Sequence, residues 1–270
     1  MNKPPKTRMG GGARTLDRGL IVLEALASSG RKLGVTELSE VCAFDKSTVY
    51  RLLTTLVRRG YAQHDPGTRQ YSLGLKILEL HDALQDSLAL QDAVRPFLAK
   101  LVKETGETSH LAVLSGNEIV FVDWINTEQV VGVRTQIGRR EPAPHTALGR
   151  AILAALPVEE AEAILSTAEL HPYTSRTVIT IEGLRNEVQL TREQGYAIDN
   201  EEFIKGVRCV SAPLRDLAGK VVGAIGISGP ATRMSLRWCR EIGEMVRGLA
   251  DSASRALGYK TSQTAHGGTR

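Results

Sequence analysis

The chain is predicted to be α+β: a winged helix-turn-helix, a linker helix, and then an antiparallel sheet flanked by helices. Two observations on periodicity carry this. Three helical stripes separated by short turns lead into two short alternating runs around Asp65-Pro66-Gly67. After residue 92, alternating runs interleave with amphipathic helices, the mark of an antiparallel sheet with helices beside it. The third observation is charge. Residues 1–74 hold twelve Lys and Arg against six Asp and Glu, whereas the rest of the chain holds twenty-two against twenty-four. A basic first quarter on a neutral remainder points one end at a polyanion.

The 270 residues suffice for two domains at about 100–200 residues each. Residues 1–13 mix Pro, Gly and basic residues without periodicity and are expected to be a disordered arm. Residues 14–74 are expected to form the winged helix-turn-helix. Its first helix carries Leu16, Leu20, Leu23 and Ala27 at helical spacing and stops at Gly30. The second starts at Thr36 as N-cap and buries Leu38 and Val41. Ala43-Phe44-Asp45 makes the turn, with Asp45 placed to cap a third helix that buries Val49, Leu52, Leu53 and Leu56 and ends at Gly60. A hairpin around Pro66-Gly67 supplies the wing.

Residues 75–92 read as a linker helix whose stripe of Ile77, Leu80, Leu84 and Leu88 suits a seam against a partner helix. Residues 93–259 read as a second domain and 260–270 as a flexible tail. In the second domain a helix over Val94–Thr105 precedes strands at Ser109–Leu114, Ile119–Trp124 and Val130–Thr135. Helices follow at Thr146–Ala155, Val158–Ser166 and Ile181–Glu193. Then come strands at Tyr196–Asn200, Val207–Pro213 and Val221–Ile227, and a closing helix, Leu236–Leu257.

Several function classes find no support. No run approaches the roughly 20 apolar residues of a membrane span, and no apolar stretch follows the basic N-terminus as in a secretory signal. Cys42, Cys209 and Cys239 are far apart, so a reduced, cytoplasmic protein without structural zinc or other metal is expected. There is no G-x-S-x-G elbow or phosphate-cradling P-loop, and Gly223-x-x-Gly226-x-x-Gly229 lies in a strand rather than opening a helix. No enzyme activity and no cofactor are expected. A helix-turn-helix fused to an enzyme and a constitutive architectural DNA-binder are the competing classes.

The polar side of the third helix presents Lys46, Ser47, Thr48, Tyr50, Arg51, Thr54 and Arg58. The second helix of such a motif enters the major groove, where Arg can pair bidentately with guanine and Ser, Thr and Tyr can bond phosphates or base edges. Arg69 on the wing, and Arg14 and Arg18 at the start of the first helix, are placed to meet phosphates. The expected partner is a double-stranded operator.

The stretch Asp45–Leu56, then Arg59-Gly60-Tyr61 and Tyr71-Ser72-Leu73-Gly74, resembles the helix-turn-helix of IclR-type transcriptional regulators. His145–Ala151, Gly195–Asp199, Glu201-Glu202, Gly206–Pro213 and Ala224–Pro230 resemble the C-terminal motifs of the same family, so the likeness runs from about residue 14 to 258. It departs at Pro144, where the family often has His, and at Gly226, where serine is common. The resemblance implies a GAF-like effector domain and dimers that often pair into tetramers. It also implies control of catabolic operons by small metabolites, often organic or aromatic acids. Asp199, Cys209 and Ser228 belong to the stretches that line the family's pocket, and Gly226 is expected near it at the effector site.

Thr146 is a fitting N-cap for the helix to Ala155. The free N–H groups of Ala147 and Leu148 would then meet an anion such as an effector carboxylate. Trp124, at a strand end, is placed to stack on an aromatic effector. Asp199 is placed either to accept a hydroxyl hydrogen bond or to pair with Arg208.

Overall fold

A computed structural model describes residues 13–82 and 85–260. Apart from Ala13 and Lys260, the expected arm and tail lie outside those residues. The chain forms two compact units, meeting between Gln85 and Asp86.

The first unit comprises α1 (Arg14–Ser29), α2 (Val35–Cys42), α3 (Lys46–Arg58), β1 (Ala62–Asp65), β2 (Gln70–Leu73) and α4 (Lys76–Asp82). Its core joins Val22, Leu26, Leu33, Leu38, Val49, Leu52, Leu53, Ala62 and Tyr71. The stripe expected on α1 is wrong. Leu16 and Leu20 are 64% and 49% exposed, and the buried face is Val22 and Leu26. α1 carries apolar residues at helical spacing on two faces, and the contact with α2 and α3 decides between them. α2 begins at Val35 rather than after Thr36. Its cap is Gly34, whose N–H donates to Glu37 Oε2 at 2.8 Å. Leu38 is buried as expected, but Val41 is exposed.

The turn into α3 places Ala43 in the left-handed region, at φ +55°. Asp45 occupies the N-cap position of α3 but makes no side-chain capping bond. β1 and β2 pair antiparallel, and a bridge between Leu33 and Tyr71 ties the α1–α2 loop to the wing. Gly74 is required at the base of the wing, because a Cβ there would meet the Gly60 carbonyl oxygen at 2.1 Å. In the turn, Asp65 Oδ1 accepts the Gly67 N–H at 3.0 Å while Lys32 pairs with the same carboxylate.

The helical break expected at residue 93 is absent. α5 runs from Gln85 to Thr105 through Pro96, which lacks the N–H that would serve the carbonyl four residues back. Of the proposed seam, Leu80 is half exposed; Leu84 and the side chain of Leu88 lie outside the described residues.

The second unit is built on a six-stranded antiparallel sheet. It contains β3 (Thr108–Ser115), β4 (Glu118–Ile125), β5 (Arg140–Pro142), β6 (Ala197–Asn200), β7 (Val207–Arg215) and β8 (Val221–Pro230), in the order β5-β4-β3-β8-β7-β6. α5 and α9 (Leu236–Ala256) cover one face, where Leu98 and Val246 meet Leu111, Val210 and Ile225. α6 (Ala147–Ala155) and α8 (Ile181–Gln194) cover the other, where Ile152 and Leu184 meet Ala112, Phe121 and Ala224. α7 (Val158–Leu165) lies beside α8. Side chains alternate between the faces, so β8 sends Ile225 and Ile227 one way and Ala224 and Ser228 the other.

Val130–Thr135 is not a strand. Val130 is fully exposed, and the partner position on β4 is taken by β5, paired at Glu118–Val120. β-branched residues alone do not make a strand without a ladder to join.

A 3₁₀ turn, Ala143–His145, leads into α6, where Thr146 Oγ1 accepts the Gly149 N–H at 3.2 Å. This turn folds tightly over the helix. A Cβ on Gly149 would lie 2.1 Å from the Ala143 carbonyl oxygen. Gly149→Ala is therefore expected to destabilise this unit by about 2 kcal/mol or more, since backbone must move to admit the methyl. Both tryptophans, Trp124 and Trp238, lie in this unit, so urea unfolding followed by tryptophan fluorescence reads the effect. An unchanged midpoint would refute the close approach.

Candidate functional site

Two sites emerge, one in each unit. In the first, α3 turns Val49, Leu52 and Leu53 inward and leaves Lys46, Ser47, Tyr50, Arg51, Thr54 and Arg58 exposed along its opposite side; Thr48 is half-buried. Thr54 Oγ1 is bonded back to the Tyr50 carbonyl at 2.8 Å. Arg14 and Arg69 are exposed, and Arg69 sits at φ +55° in the wing turn. Arg18 is placed differently from the others. It is half-buried, with its guanidinium 5.2 Å from the centre of the Phe44 ring, so it braces the α2–α3 turn. None of Arg14, Lys46, Arg51, Arg58 or Arg69 pairs with a carboxylate among the described residues. That leaves their charge available to an external polyanion.

The second site is a cavity between the α6 face of the sheet and the segments around it. Its interior is small, with about 60 Å³ open to the centres of water-sized groups. His110, Phe121, Asp199, Cys209 and Ser228 come from five neighbouring strands. Thr146, Ala147 and Leu148 come from the start of α6. The irregular segment before β5 contributes Val133, Arg134, Thr135 and Arg139; β5 gives Glu141; and Phe203, Ile204 and Val207 close the remaining side.

The polar groups in this wall are individually constrained. Ser228 Oγ lies 3.1 Å from Cys209 Sγ, and burial pushes the Cys209 thiol well above its ordinary range, so it stays protonated. Asp199 Oδ1 accepts the Glu202 N–H at 2.8 Å. It does not pair with Arg208, which binds Glu201 at 2.9 Å. Behind it, the buried Arg150 bridges Glu187 and Glu202 at 2.9 and 3.0 Å. Arg139 pairs with Glu141 at 2.8 Å. Thr146 takes the Gly149 N–H, while the N–H groups of Ala147 and Leu148 have no acceptor within the helix. Both ring nitrogens of His110 and the hydroxyl of Thr135 are buried and have no hydrogen-bond partner among the described residues.

The family model described as IclR helix-turn-helix domain matches residues 15–66, and that described as Bacterial transcriptional regulator IclR C-terminal matches residues 82–255. The chain belongs to the IclR family. It is 32% identical to the HTH-type transcriptional regulator XynR of Escherichia coli, over 91% of this chain and 98% of that one. It is 35% identical to KdgR of the same organism, over 88% and 90%. The crystal structure of the Thermotoga maritima IclR shares its fold with a TM-score of 0.76 at 29% identity, covering 92% of this chain and all of that one. The protein is thus a helix-turn-helix transcriptional regulator with a C-terminal effector-binding domain.

Five of the seven effector residues expected from sequence lie in the cavity wall of this IclR-family regulator: Ala147, Leu148, Asp199, Cys209 and Ser228. Trp124 and Gly226 do not. Trp124 is half-buried on β4, opposite His110, beyond the wall. Gly226 is sunk in the sheet, where a Cβ would lie 2.4 Å from the Val210 carbonyl oxygen. Sequence reading missed His110, Phe121, Arg134, Thr135, Arg139, Glu141 and Phe203. One signal was available for His110: in Thr108–Leu114 it shares the alternate-residue face of Ala112 and Leu114, which a strand turns toward a covering layer. The segment carrying Arg134 and Arg139 has no periodicity to read.

Burial pushes the Glu141 carboxyl up to about 7, against the pull of Arg139, with the Asp199 charge adding to the rise. Burial lifts Asp199 to about 6 and, together with Arg139, lowers the His110 imidazole to about 4. Unfolded, Glu141 ionises near 4.5, so between that pH and about 7 the folded state holds a proton that the unfolded state has released. Glu141 therefore erodes stability as pH rises through this window. Glu141→Gln removes that dependence. Its stability relative to wild type is expected to climb across the window, by at most about 1.4 kcal/mol per pH unit, and to level off above it. Urea melts at both ends and the middle of the window test this; a pH-independent difference refutes it.

Proposed function

We propose that the exposed polar side of α3 reads a pseudo-palindromic operator, with Ser47, Tyr50 and Arg51 as its main contacts. Lys46, Thr48, Arg14 and Arg69 assist on phosphates, while Arg18 acts chiefly by holding the turn. In this reading residues 14–74 bind DNA, 75–92 link, and 93–259 sense an effector. Two half-sites need two reading helices, which supports a homodimer or homotetramer. The free, unpaired cations of α3 and the wing support the assignment. With duplexes selected from a random pool, at least two chains per duplex are expected. Arg51→Ala is expected to weaken the selected duplex by roughly 1–3 kcal/mol, with a smaller effect on unselected DNA. Unchanged affinity, or one chain per duplex, counts against it.

The effector we propose is a small organic or aromatic acid of a catabolic pathway, bound in the cavity with its carboxylate at the N–H groups of Ala147 and Leu148. The single observation that carries this is a helix start opening into a walled cavity with those donors unserved. The protein senses rather than catalyses. The Ser228 hydroxyl is bonded to the Cys209 sulfur, the thiol is held protonated, and His110 hydrogen-bonds neither, so neither of these cavity side chains is an activated nucleophile. The regulator acts in the cytoplasm. No helix among the described residues is long and apolar enough to cross a membrane.

Ala147 is buried in the cavity wall, so Ala147→Trp fills the space an effector would occupy. The variant is expected to keep operator binding and lose its response to any effector. For an effector that alters operator affinity tenfold, about 1.4 kcal/mol of coupling disappears. Gel shifts with and without effector, on protein whose thermal melt confirms folding, decide this; a wild-type response from Ala147→Trp puts the effector elsewhere.

A further inference from the structure

The cavity contains a polar residue that the folded chain leaves unserved. His110 is 2% exposed, and neither of its ring nitrogens has a hydrogen-bond partner among the described residues. Its place in the sheet explains this. Across β8 its neighbour is Gly226, which has no side chain to offer, and across β4 it is Trp124. Phe121 meets the ring edge-on, with centroids 5.5 Å apart. Beyond Gly226, the Ser211 hydroxyl is unpartnered as well. A serine at 226 would stand between these two polar groups, but the Val210 carbonyl oxygen excludes a Cβ there. The Thr135 hydroxyl, from the segment before β5, is a further unpartnered group in the same cavity wall.

Buried polar groups are almost always bonded, and one left unbonded in a cavity wall marks a partner that arrives from outside. The chemistry of that partner follows from the imidazole. Neutral, it has one N–H donor and one bare nitrogen acceptor. Charging it is opposed by burial and by Arg139. Cations and carboxyls share the wall: Arg134 and Arg139 on the segment before β5, Glu141 on β5 and Asp199 on β6. A second anionic group on the ligand would gain little from such a wall. A group that both donates and accepts fits it, and a hydroxyl is the simplest.

We propose that His110 sets the effector specificity of this regulator by hydrogen-bonding a hydroxyl of the effector, so that the cavity takes a small hydroxylated acid and rejects its deoxy counterpart. This rests on the cavity being the effector site. The histidine is then a residue kept for binding at the expense of the empty protein's stability.

The test uses the full chain and matched pairs of acids: glycolate with acetate, 3-hydroxybutyrate with butyrate, and 4-hydroxybenzoate with benzoate. A ligand of the folded state raises its melting temperature. The expected result is that the hydroxylated member of at least one pair stabilises the wild type and binds tenfold or more tightly than its deoxy partner. In His110→Phe that preference disappears, while the ligand-free variant melts about 2–4 °C above wild type because the unserved imidazole is gone. If phenylalanine does not fit, His110→Leu, of smaller volume, carries the same two readouts. Equal binding of both members of every binding pair, a hydroxyl preference that survives the substitution, or variants that both melt lower would overturn the role of His110 while leaving an acid-binding cavity in place. No shift with any acid in the wild type would overturn the cavity reading along with it.

Discussion

A sheet with helices on both faces has to dispose of two sets of side chains, one for each face, and the central strands β3, β8 and β7 are bound to this rule most strictly. On the α5–α9 side the disposal is complete: Leu111, Ile225, Ile227 and Val210 go into a continuous apolar layer. On the α6 side it is not. The same strands send His110, Ser228 and Cys209 toward α6, and the helix begins rather than passes there. A helix start brings backbone donors instead of a covering side chain. The cavity is what remains where one face of a two-faced sheet meets the end of a helix.

The rest of the effector unit follows from holding that helix start in place. Gly149 lets the 3₁₀ turn fold against α6, Thr146 caps it, and Arg150 anchors its first turn through Glu187, Glu202 and the Ile198 carbonyl. Arg150 is buried with its charge shared between two carboxylates, an arrangement that is costly to break once made. One of those partners, Glu202, stands beside Asp199, whose carboxylate takes its backbone N–H. The anchoring of the roof and the chemistry of the floor are therefore joined by a few hydrogen bonds.

The elements of the fold were legible wherever periodicity was strong and singular. α3, α6, α8, α9 and the hairpins were all readable from spacing and turn residues. Errors arose where local signals were ambiguous or where a tertiary partner decided. α1 has two apolar faces, and only its neighbours choose Val22 and Leu26 over Leu16 and Leu20. Val130–Thr135 has strand composition but finds the sheet edge occupied. The change of pattern after residue 92 suggested a helix boundary that α5 does not observe. The candidate site was legible where it coincided with motifs, as at Thr146–Leu148, Asp199, Cys209 and Ser228. It was overlooked where strand alternation was the only signal, as with His110, and illegible where an irregular segment placed a residue, as with Arg134 and Arg139. Gly226 was expected at the site because the family resemblance puts it near the pocket, whereas its close approach is to the neighbouring strand.

The segment between β4 and β5 has a consequence for how such a sensor changes over generations. It supplies Val133, Arg134, Thr135 and Arg139 to the cavity, yet it belongs to no helix or strand, and Val130 and Val131 within it stand out in water. Mutations there alter what the cavity meets without disturbing the pairing of β3, β8 and β7. Insertions and deletions are tolerated in such stretches far better than in a ladder. Lineages that acquire new nutrients can thus retune recognition on one wall while inheriting the other intact. On the proposed reading of the cavity, divergence in effector preference accumulates fastest along this stretch of chain.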